Sequence, residues 1–244
     1  MGGGSPLYPS HLPLSQLQHG AVAVLSSIGA LLRPQRADLV AAVGETTGLY
    51  AVKLLYTRMK QDAVGQRILA ERPRITDAST SHCWSLPSHT FGGAYAKFMG
   101  SRGFHADDRP PVRFVQDEEL AYVLTRMREV HDFWHVLFDC HTNVFGELAL
   151  KAVEFVQTGV PMTGLAVLGA QYRLKPADRQ LLQETFMPWA VRAGTRSRDL
   201  MNIYYEENFQ EDLEDMRRRY NILPAPPVPL HLANKRAATE VHSA

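Results

Sequence analysis

The sequence is poor in cysteine and has no excess of charge of either sign. Cys83 and Cys140 are the two cysteines among 244 residues, which excludes a disulfide framework and a cysteine-rich zinc module. Lysine and arginine total 26 against 25 aspartates and glutamates, so the formal net charge is +1 and no nucleic-acid partner is expected. A metal site in this chain therefore has to use histidine, present ten times, and carboxylates.

Long apolar runs are also missing. The longest weakly polar stretch, residues 20–32, is about 13 residues long, whereas a membrane span needs ~20. It predicts a helix that lies against protein or a membrane surface. The N-terminus has neither a basic region before an apolar core nor an Arg-rich amphipathic presequence, so neither a secretory signal nor a transit peptide is recognised.

The remaining pattern is helical. Apolar residues recur at three- and four-residue spacing, proline and glycine separate the stretches, and neither alternating strands nor an internal repeat is visible. Helices are predicted over residues 14–32, 38–43, 47–60, 62–71, 91–99, 117–139, 143–157, 162–170, 176–193 and 199–219, with a loop over 76–91. We expect an all-α, single-domain helical bundle at 14–222, after an extended segment at 1–13 and before a Pro-rich, polar tail at 223–244.

One group of histidines and carboxylates has the spacing of metal ligands. His131 and His135 are four residues apart, so both imidazoles lie on one helix face, and Asp132 flanks that face. Glu147 follows twelve residues after His135, across a short turn that makes the next helix antiparallel. We therefore expect a metal site between two antiparallel helices, with His131, Asp132, His135 and Glu147 as ligands. This nitrogen–oxygen set suits Zn²⁺, Fe²⁺, Mn²⁺ or Co²⁺.

The same residues also fit purely structural roles. A histidine pair near a helix C-terminus interacts with the helix dipole, and Glu147 with Lys151 has the spacing of a surface ion pair. The pattern is not H-E-x-x-H, which argues against a metalloprotease. A phosphohydrolase would need basic residues near the motif to bind phosphate. Arg126 and Arg128 lie about one and a half helical turns away, so the support for this activity is weak.

Long stretches of the chain closely resemble the ubiquinone (coenzyme Q) biosynthesis protein four family. The resemblance rests on FVQDEELAYVLTRMREVHDFWH, TNVFGELALKAVEFVQTGVPM, MPWA and NIYYEENF, and on LYPSHLPLSQLQ, VGETTG and ERPRI nearer the N-terminus. It covers roughly residues 7–229. The family's zinc pattern, H-D-x-x-H-x11-E, falls on His131, Asp132, His135 and Glu147.

The resemblance implies a function and a location. The implied activity is a Zn²⁺-dependent lyase that removes the C1 carboxylate of a 4-hydroxy-3-methoxy-5-polyprenylbenzoate, with coupled hydroxylation at that carbon left open. The implied location is the matrix face of the mitochondrial inner membrane, as a peripheral protein in a complex with other ubiquinone biosynthesis enzymes. The alternative is a non-catalytic, lipid-binding scaffold. No catalytic residue is assigned. His141 is a candidate general acid, and the alternative is that it is only a solvated histidine of the turn.

An isoprenoid tail needs an apolar groove. Residues 162–170 and 20–32 can line one, with room left by small residues at Ala23, Gly29, Gly164 and Gly169, but tight helix packing explains them equally well. A set of aromatic residues near the C-terminus is predicted as core rather than as a ligand box: Trp189, Tyr204, Tyr205 and Phe209.

Overall fold

The structure, a computed structural model, describes residues 5–33 and 36–233. The helices are α1 (Gln16–Leu32), α2 (Ala37–Thr47), α3 (Leu49–Gln61), α4 (Ala63–Glu71), α5 (Asp77–Thr80), α6 (Phe91–Gly100), α7 (Glu118–Glu129), α8 (His131–Phe138), α9 (Val144–Thr158), α10 (Pro161–Ala170), α11 (Pro176–Leu181), α12 (Met187–Arg196) and α13 (Leu213–Arg219). They form one helical domain, and no strand occurs in the described ranges, so the all-α prediction is confirmed.

Helix α8 lies at the centre of this domain. Apart from the face that carries His131, Asp132 and His135, its sequence, HDFWHVLF, is apolar, and it packs against α6, α7 and α9. Phe133 is fully buried among Phe91, Tyr95 and Tyr205. Burying such a side chain contributes about 1.5–3 kcal/mol, so this aromatic packing holds α8 in place.

The predicted helix over residues 117–139 is divided at Val130. Backbone angles of φ −82° and ψ −7° at Val130 end α7, and α8 begins at His131. Val130 is completely buried, and neither proline nor glycine is nearby, so packing rather than a helix-breaking residue accounts for the division. His131 therefore lies at the start of a short helix and not near the end of a long one.

The predicted helix over residues 199–219 is wrong. Two 3₁₀ turns, Leu200–Asn202 and Tyr205–Glu207, precede the short α13. Asp199 and Asp212 each cap a new turn by accepting backbone hydrogen bonds, which interrupts a continuous helix. Of the predicted core aromatics, Trp189, Tyr205 and Phe209 are buried, whereas Tyr204 lies under the guanidinium of Arg67, 4.2 Å from its ring centre.

Smaller departures concern two further segments. The predicted loop over residues 76–91 contains α5 and a 3₁₀ turn, because Thr76 and Ser79 form a capping box. The predicted helix over residues 176–193 extends to Arg196 and contains a π-turn, Leu182–Phe186. This turn ends two residues before Pro188, which cannot donate a backbone hydrogen bond.

The two end segments run along the helices without forming long helices themselves. The hydroxyl of Tyr8 donates to the carbonyl of Val115 at 2.9 Å, and the amide of Ala225 donates to the carbonyl of Phe138 at 2.7 Å. Residues 1–4 and 234–244, which belong to the predicted N-terminal segment and tail, lie outside the described residues, as do 34 and 35. The proposed boundaries at 13 and 222 stay predictions.

Helices α1, α2 and α10 form an outer layer on α9. Gly29 faces Leu39 of α2, and Gly164 faces the ring of Phe155 of α9, so closely that an added Cβ would lie 2.8 and 3.1 Å from those side chains. Close helix packing therefore explains these two glycines better than a groove does. Large aliphatic side chains of the layer face outward: Leu17, Val24, Leu25, Ile28, Leu165 and Leu168. Among the described residues, none of the helices has the length and apolar character that crossing a membrane requires.

Candidate metal centre

A short turn between α8 and α9 builds the site. Asp139 ends α8 in the left-handed region at φ 54°, and Asn143 caps α9 by accepting a 2.9 Å hydrogen bond from the amide of Gly146. A Cβ at Gly146 would lie 2.1 Å from the carbonyl oxygen of His141, so only glycine fits this turn. The reversal brings Glu147, in the first turn of α9, back to the face of α8 that carries His131 and His135.

Three of the four predicted ligands converge. Nε2 of His131 lies 3.2 Å from Nε2 of His135, which is 3.0 Å from a carboxylate oxygen of Glu147. The other carboxylate oxygen of Glu147 is 3.7 Å from Nε2 of His131. In a tetrahedral zinc site with bonds of about 2.0–2.1 Å, neighbouring ligand atoms are roughly 3.3 Å apart. The spacing of this His–His–Glu triad therefore suits a divalent metal ion.

The hydrogen bond of His135 fixes which ring nitrogen faces the centre. Nδ1 of His135 lies 3.0 Å from the carbonyl oxygen of Cys140, and a carbonyl can only accept. The proton is therefore on Nδ1, and the lone pair of Nε2 points at the centre. The ring stacks on Phe98, with centroids 5.4 Å apart, and is 2% exposed, so its orientation is held by packing as well.

Glu154 fixes the orientation of His131 in the same way, by pairing with its Nδ1. This role of Glu154 was not predicted from the sequence. Nδ1 of His131 donates to the Glu154 carboxylate, which also accepts a 2.7 Å hydrogen bond from Lys151. Burial raises the pKa of Glu154, but the charges of Lys151 and His131 outweigh burial and lower the pKa to about 2. Glu154 is thus an ionised acceptor, and carboxylate–histidine pairs of this kind orient metal ligands.

Residue spacing along α9 contained the signal for this arrangement. Glu147, Lys151 and Glu154 follow each other at four and three residues, which places them on one helix face. The surface ion pair considered between Glu147 and Lys151 does not form, because Lys151 pairs with Glu154. The charged face of α9 is therefore turned toward α8, with Glu154 buried and Glu147 partly exposed.

Glu147 completes the triad as an anion. Burial raises its pKa, but the neighbouring His135 and His131 lower it to about 2, so the carboxylate is ionised at neutral pH. Two imidazole Nε2 atoms and an ionised carboxylate thus meet at one position, where a bound cation would be stabilised. This donor set fits a divalent metal, and it is the sole group of three or more suitable ligands within residues 5–33 and 36–233.

Asp132 lies beside the triad but faces another partner. Its carboxylate forms an ion pair with Arg109, and each of these two side chains is 17% exposed. Arg109 comes from the loop between α6 and α7, and it also donates to the carbonyl of Ala106 at 2.7 Å. The structure therefore brings His131, His135 and Glu147 together and places Asp132 on Arg109.

His141, the candidate general acid, is half-buried in the turn between α8 and α9. Burial lowers the pKa of its imidazole, against an opposing effect of Asp139. Burial thus disfavours the protonated form of His141, which weakens its case as a general acid.

Comparisons with known proteins agree on one family. The family model for Coq4, coenzyme Q (ubiquinone) biosynthesis protein Coq4, matches residues 8–226. The ubiquinone biosynthesis protein coq4, mitochondrial, of Aspergillus clavatus is 46% identical over 220 residues, which are 89% of this chain and 77% of that protein. Its counterpart from Coccidioides immitis is 44% identical over 224 residues, which are 91% of this chain and 79% of that protein.

A solved structure shares the fold. A chain of Nostoc punctiforme, described as a ubiquinone biosynthesis protein, superposes with a TM-score of 0.65 over 82% of this chain and 97% of that chain. At 21% sequence identity this likeness supports the helical fold alone.

Fold and site together define an all-α protein with a His–His–Glu triad suited to a divalent metal. Because the family model matches most of the sequence and the fungal relatives exceed 40% identity, the chain belongs to the Coq4 family of ubiquinone biosynthesis proteins. The family resemblance and the role in ubiquinone biosynthesis expected from the sequence are confirmed.

Proposed function

We propose that this chain is a metal-dependent lyase of ubiquinone biosynthesis. Its reaction removes the C1 carboxylate of a 4-hydroxy-3-methoxy-5-polyprenylbenzoate. The C1–carboxylate bond breaks, CO₂ leaves, and the ring carbon keeps the electron pair and takes up a proton; coupling to hydroxylation would additionally require an oxidant. The observation that carries the proposal is the convergence of two imidazole lone pairs and an ionised carboxylate on one position.

The metal in this proposal is Zn²⁺ or another divalent ion. His131, His135 and Glu147 would hold it, and Asp132 is the fourth proposed ligand. When bound, the ion supplies Lewis acidity that stabilises negative charge on the substrate carboxylate or ring oxygen. The protein groups around it have separate tasks.

Those tasks follow from their contacts. Cys140 and Glu154 keep the two imidazoles in the tautomer that presents Nε2. Glu147 has a 35% exposed side chain, so the triad is open to solvent, and to a substrate, on that side. His141, at the edge of the site, stays the candidate for donating the proton.

The proposed location is the matrix face of the mitochondrial inner membrane, as a peripheral member of a complex with other ubiquinone biosynthesis enzymes. The fungal relatives carry "mitochondrial" in their names. Outward-facing aliphatic side chains on α1 and α10 offer a surface for a membrane or for a polyprenylated substrate. Helix α1 contains no Lys, Arg, Asp or Glu to oppose insertion into the lipid boundary.

The alternative is a lipid-binding scaffold without catalysis, and one assay distinguishes it from the lyase. Purified protein with a defined metal and a short-tailed substrate analogue should release CO₂, and Glu147→Gln should abolish release while keeping the side-chain shape. His105→Ala is the matched control, since His105 also pairs with a carboxylate, Asp77, but is exposed. An inactive wild-type protein whose Glu147→Gln variant also loses association with other pathway enzymes would instead support the scaffold.

A further inference from the structure

We propose that the C-terminal strap, defined as residues 223–232, supports the metal centre by joining the two helices that carry its ligands. Metal binding and attachment of the strap then favour each other: the bound ion holds the strap in place, and release of the strap weakens binding of the ion. This inference rests on the proposed metal centre. The strap acts through the turn between α8 and α9, which builds the site.

The strap is attached on both sides of that turn. On one side, the amide of Ala225 donates a 2.7 Å hydrogen bond to the carbonyl of Phe138, the last residue of α8. Carbonyls at the end of a helix have no partner within it, so Ala225 supplies one from outside. On the other side, the side-chain amide of Asn143 donates a 2.5 Å hydrogen bond to the carbonyl of Leu232. The strap therefore bridges the end of α8 and the start of α9.

Both attachment points lead to ligands of the triad. The side-chain oxygen of Asn143 caps α9, and its backbone carbonyl accepts the amide of Glu147 at 2.9 Å. Asn143 thus sets the start of the helical turn that carries Glu147. On the α8 side, the carbonyl of Cys140, two residues after Phe138, accepts a hydrogen bond from Nδ1 of His135. A shift of the turn would therefore change the 3.0 Å approach of Glu147 to His135.

The sequence of the strap suits an ordered, extended segment. Four of the six residues at 224–229 are prolines, which fix φ and reduce the conformational entropy that is lost on ordering. Proline has no amide hydrogen, so Ala225 is one of two residues in this stretch that can donate a backbone hydrogen bond. The indole of Trp189 donates to the carbonyl of Pro224 at 2.9 Å, next to Ala225. The strap is thus placed by specific contacts and by a restricted backbone.

The last residues of the strap can detach without unpacking the core. They adjoin a mostly apolar cavity of about 360 Å³, whose lining includes Val144, Leu174 and Leu232. Leu230 is 94% exposed, and His231 is attached through Nε2, 2.7 Å from the carboxylate of Asp178. Segments with few buried contacts open locally at a low cost in free energy. Attachment of the strap can therefore respond to occupancy of the metal centre.

Zn²⁺ affinity in two full-length variants tests one half of the linkage. Asn143→Ser keeps a good helix cap but removes the donor to Leu232. Ala225→Pro removes the donor to Phe138 and changes no residue of the turn. Each variant should bind Zn²⁺ about tenfold more weakly, as metal sites do when a supporting contact is lost, and competition with a chelator measures this.

Val228→Pro is the matched control. It places another proline in the same segment, but no backbone carbonyl within residues 5–33 and 36–233 accepts the amide of Val228. It should bind Zn²⁺ like the wild type.

Hydrogen exchange of the strap tests the other half of the linkage. In the wild type, saturating Zn²⁺ should slow exchange of the peptide that covers residues 223–233 by about tenfold, because the coupling is reciprocal. In Asn143→Ser the same peptide should exchange quickly and almost independently of Zn²⁺. Mass spectrometry of the full-length chain measures both.

Two results would overturn the inference. One is wild-type Zn²⁺ affinity in either folded variant, Asn143→Ser or Ala225→Pro, even where the variant is less stable. The other is exchange of the wild-type strap that is the same with Zn²⁺ and with a chelator. Failure of the proposed metal centre looks different, since the wild-type protein itself would then take up no Zn²⁺.

Discussion

Two groups of charged side chains in this molecule differ in composition: one is a single ion pair, and the other is a cluster of carboxylates, imidazoles and an ammonium. Between α7 and the segment before α13, Arg126 meets Glu206 in a two-pronged ion pair, and Arg126 is 1% exposed in its side chain. One positive charge meets one negative charge there. Between α8 and α9, two ionised carboxylates, Glu147 and Glu154, meet the ammonium of Lys151 and the imidazoles of His131 and His135.

The difference separates a structural pair from a binding site. The charges of Arg126 and Glu206 cancel, so this pair requires no further ion. At α8 and α9, by contrast, Nε2 of His131, Nε2 of His135 and the Glu147 carboxylate converge on one position. A divalent cation fits this position, because all three groups are metal ligands. The first group should therefore be indifferent to metal, and the second should depend on it.

The largest effect on stability is expected at the Arg126–Glu206 pair. Arg126→Met leaves the carboxylate of Glu206 without its partner and should lower the free energy of unfolding by about 3–5 kcal/mol. Urea denaturation measures the loss, and it should be the same with Zn²⁺ and with a chelator. A loss that Zn²⁺ partly restores would contradict the assignment of this pair as purely structural.

The second effect concerns the triad. Zn²⁺ at a free concentration 1,000-fold above its dissociation constant should stabilise the wild-type protein by about 4 kcal/mol. Glu147→Gln should remove most of this gain, because it takes a charged ligand from the ion. Thermal unfolding with and without Zn²⁺ checks this, with His105→Ala as a control that keeps the full gain. Equal stabilisation of Glu147→Gln and wild type would rule out the triad.

A smaller effect is expected at Glu154, which contacts the candidate ligand His131 but does not itself belong to the triad. Glu154→Gln should weaken Zn²⁺ binding by about 10–100-fold, since the carboxylate no longer orients His131 or increases its basicity. Chelator competition measures the change. Asp77→Asn, which removes the carboxylate partner of the exposed His105, is the control and should not alter affinity. Unchanged affinity in Glu154→Gln would mean that Glu154 only neutralises Lys151.

The smallest effect belongs to an exposed pair. Arg218 and Asp215 are both more than half exposed, so Arg218→Gln should change the free energy of unfolding by about 0.5 kcal/mol or less, with and without Zn²⁺. The same urea experiment measures it. A loss as large as that of Arg126→Met would show that burial is not what distinguishes the pairs.

Local sequence patterns were sufficient for most of the helices and for the convergence of three candidate ligands. The four-residue spacing of His131 and His135 follows from helix geometry, and the short turn places Glu147 on the same side. The role of Glu154 depends on which face of α9 meets α8, and the pairing of Asp132 depends on Arg109, 23 residues earlier in a loop. The spacing of Glu147, Lys151 and Glu154 along one face of α9 points to the first contact, whereas no pattern among neighbouring residues points to the second. The division at Val130 likewise reflects burial, which neighbouring residues do not encode.

The central claim is that this centre holds one divalent ion, and metal analysis of protein purified without added metal tests it most directly. We expect close to one equivalent of a divalent ion per chain in the wild type and almost none in Glu147→Gln. A wild-type protein without divalent metal that also fails to take up Zn²⁺, or a Glu147→Gln variant that retains the full equivalent, would contradict the claim.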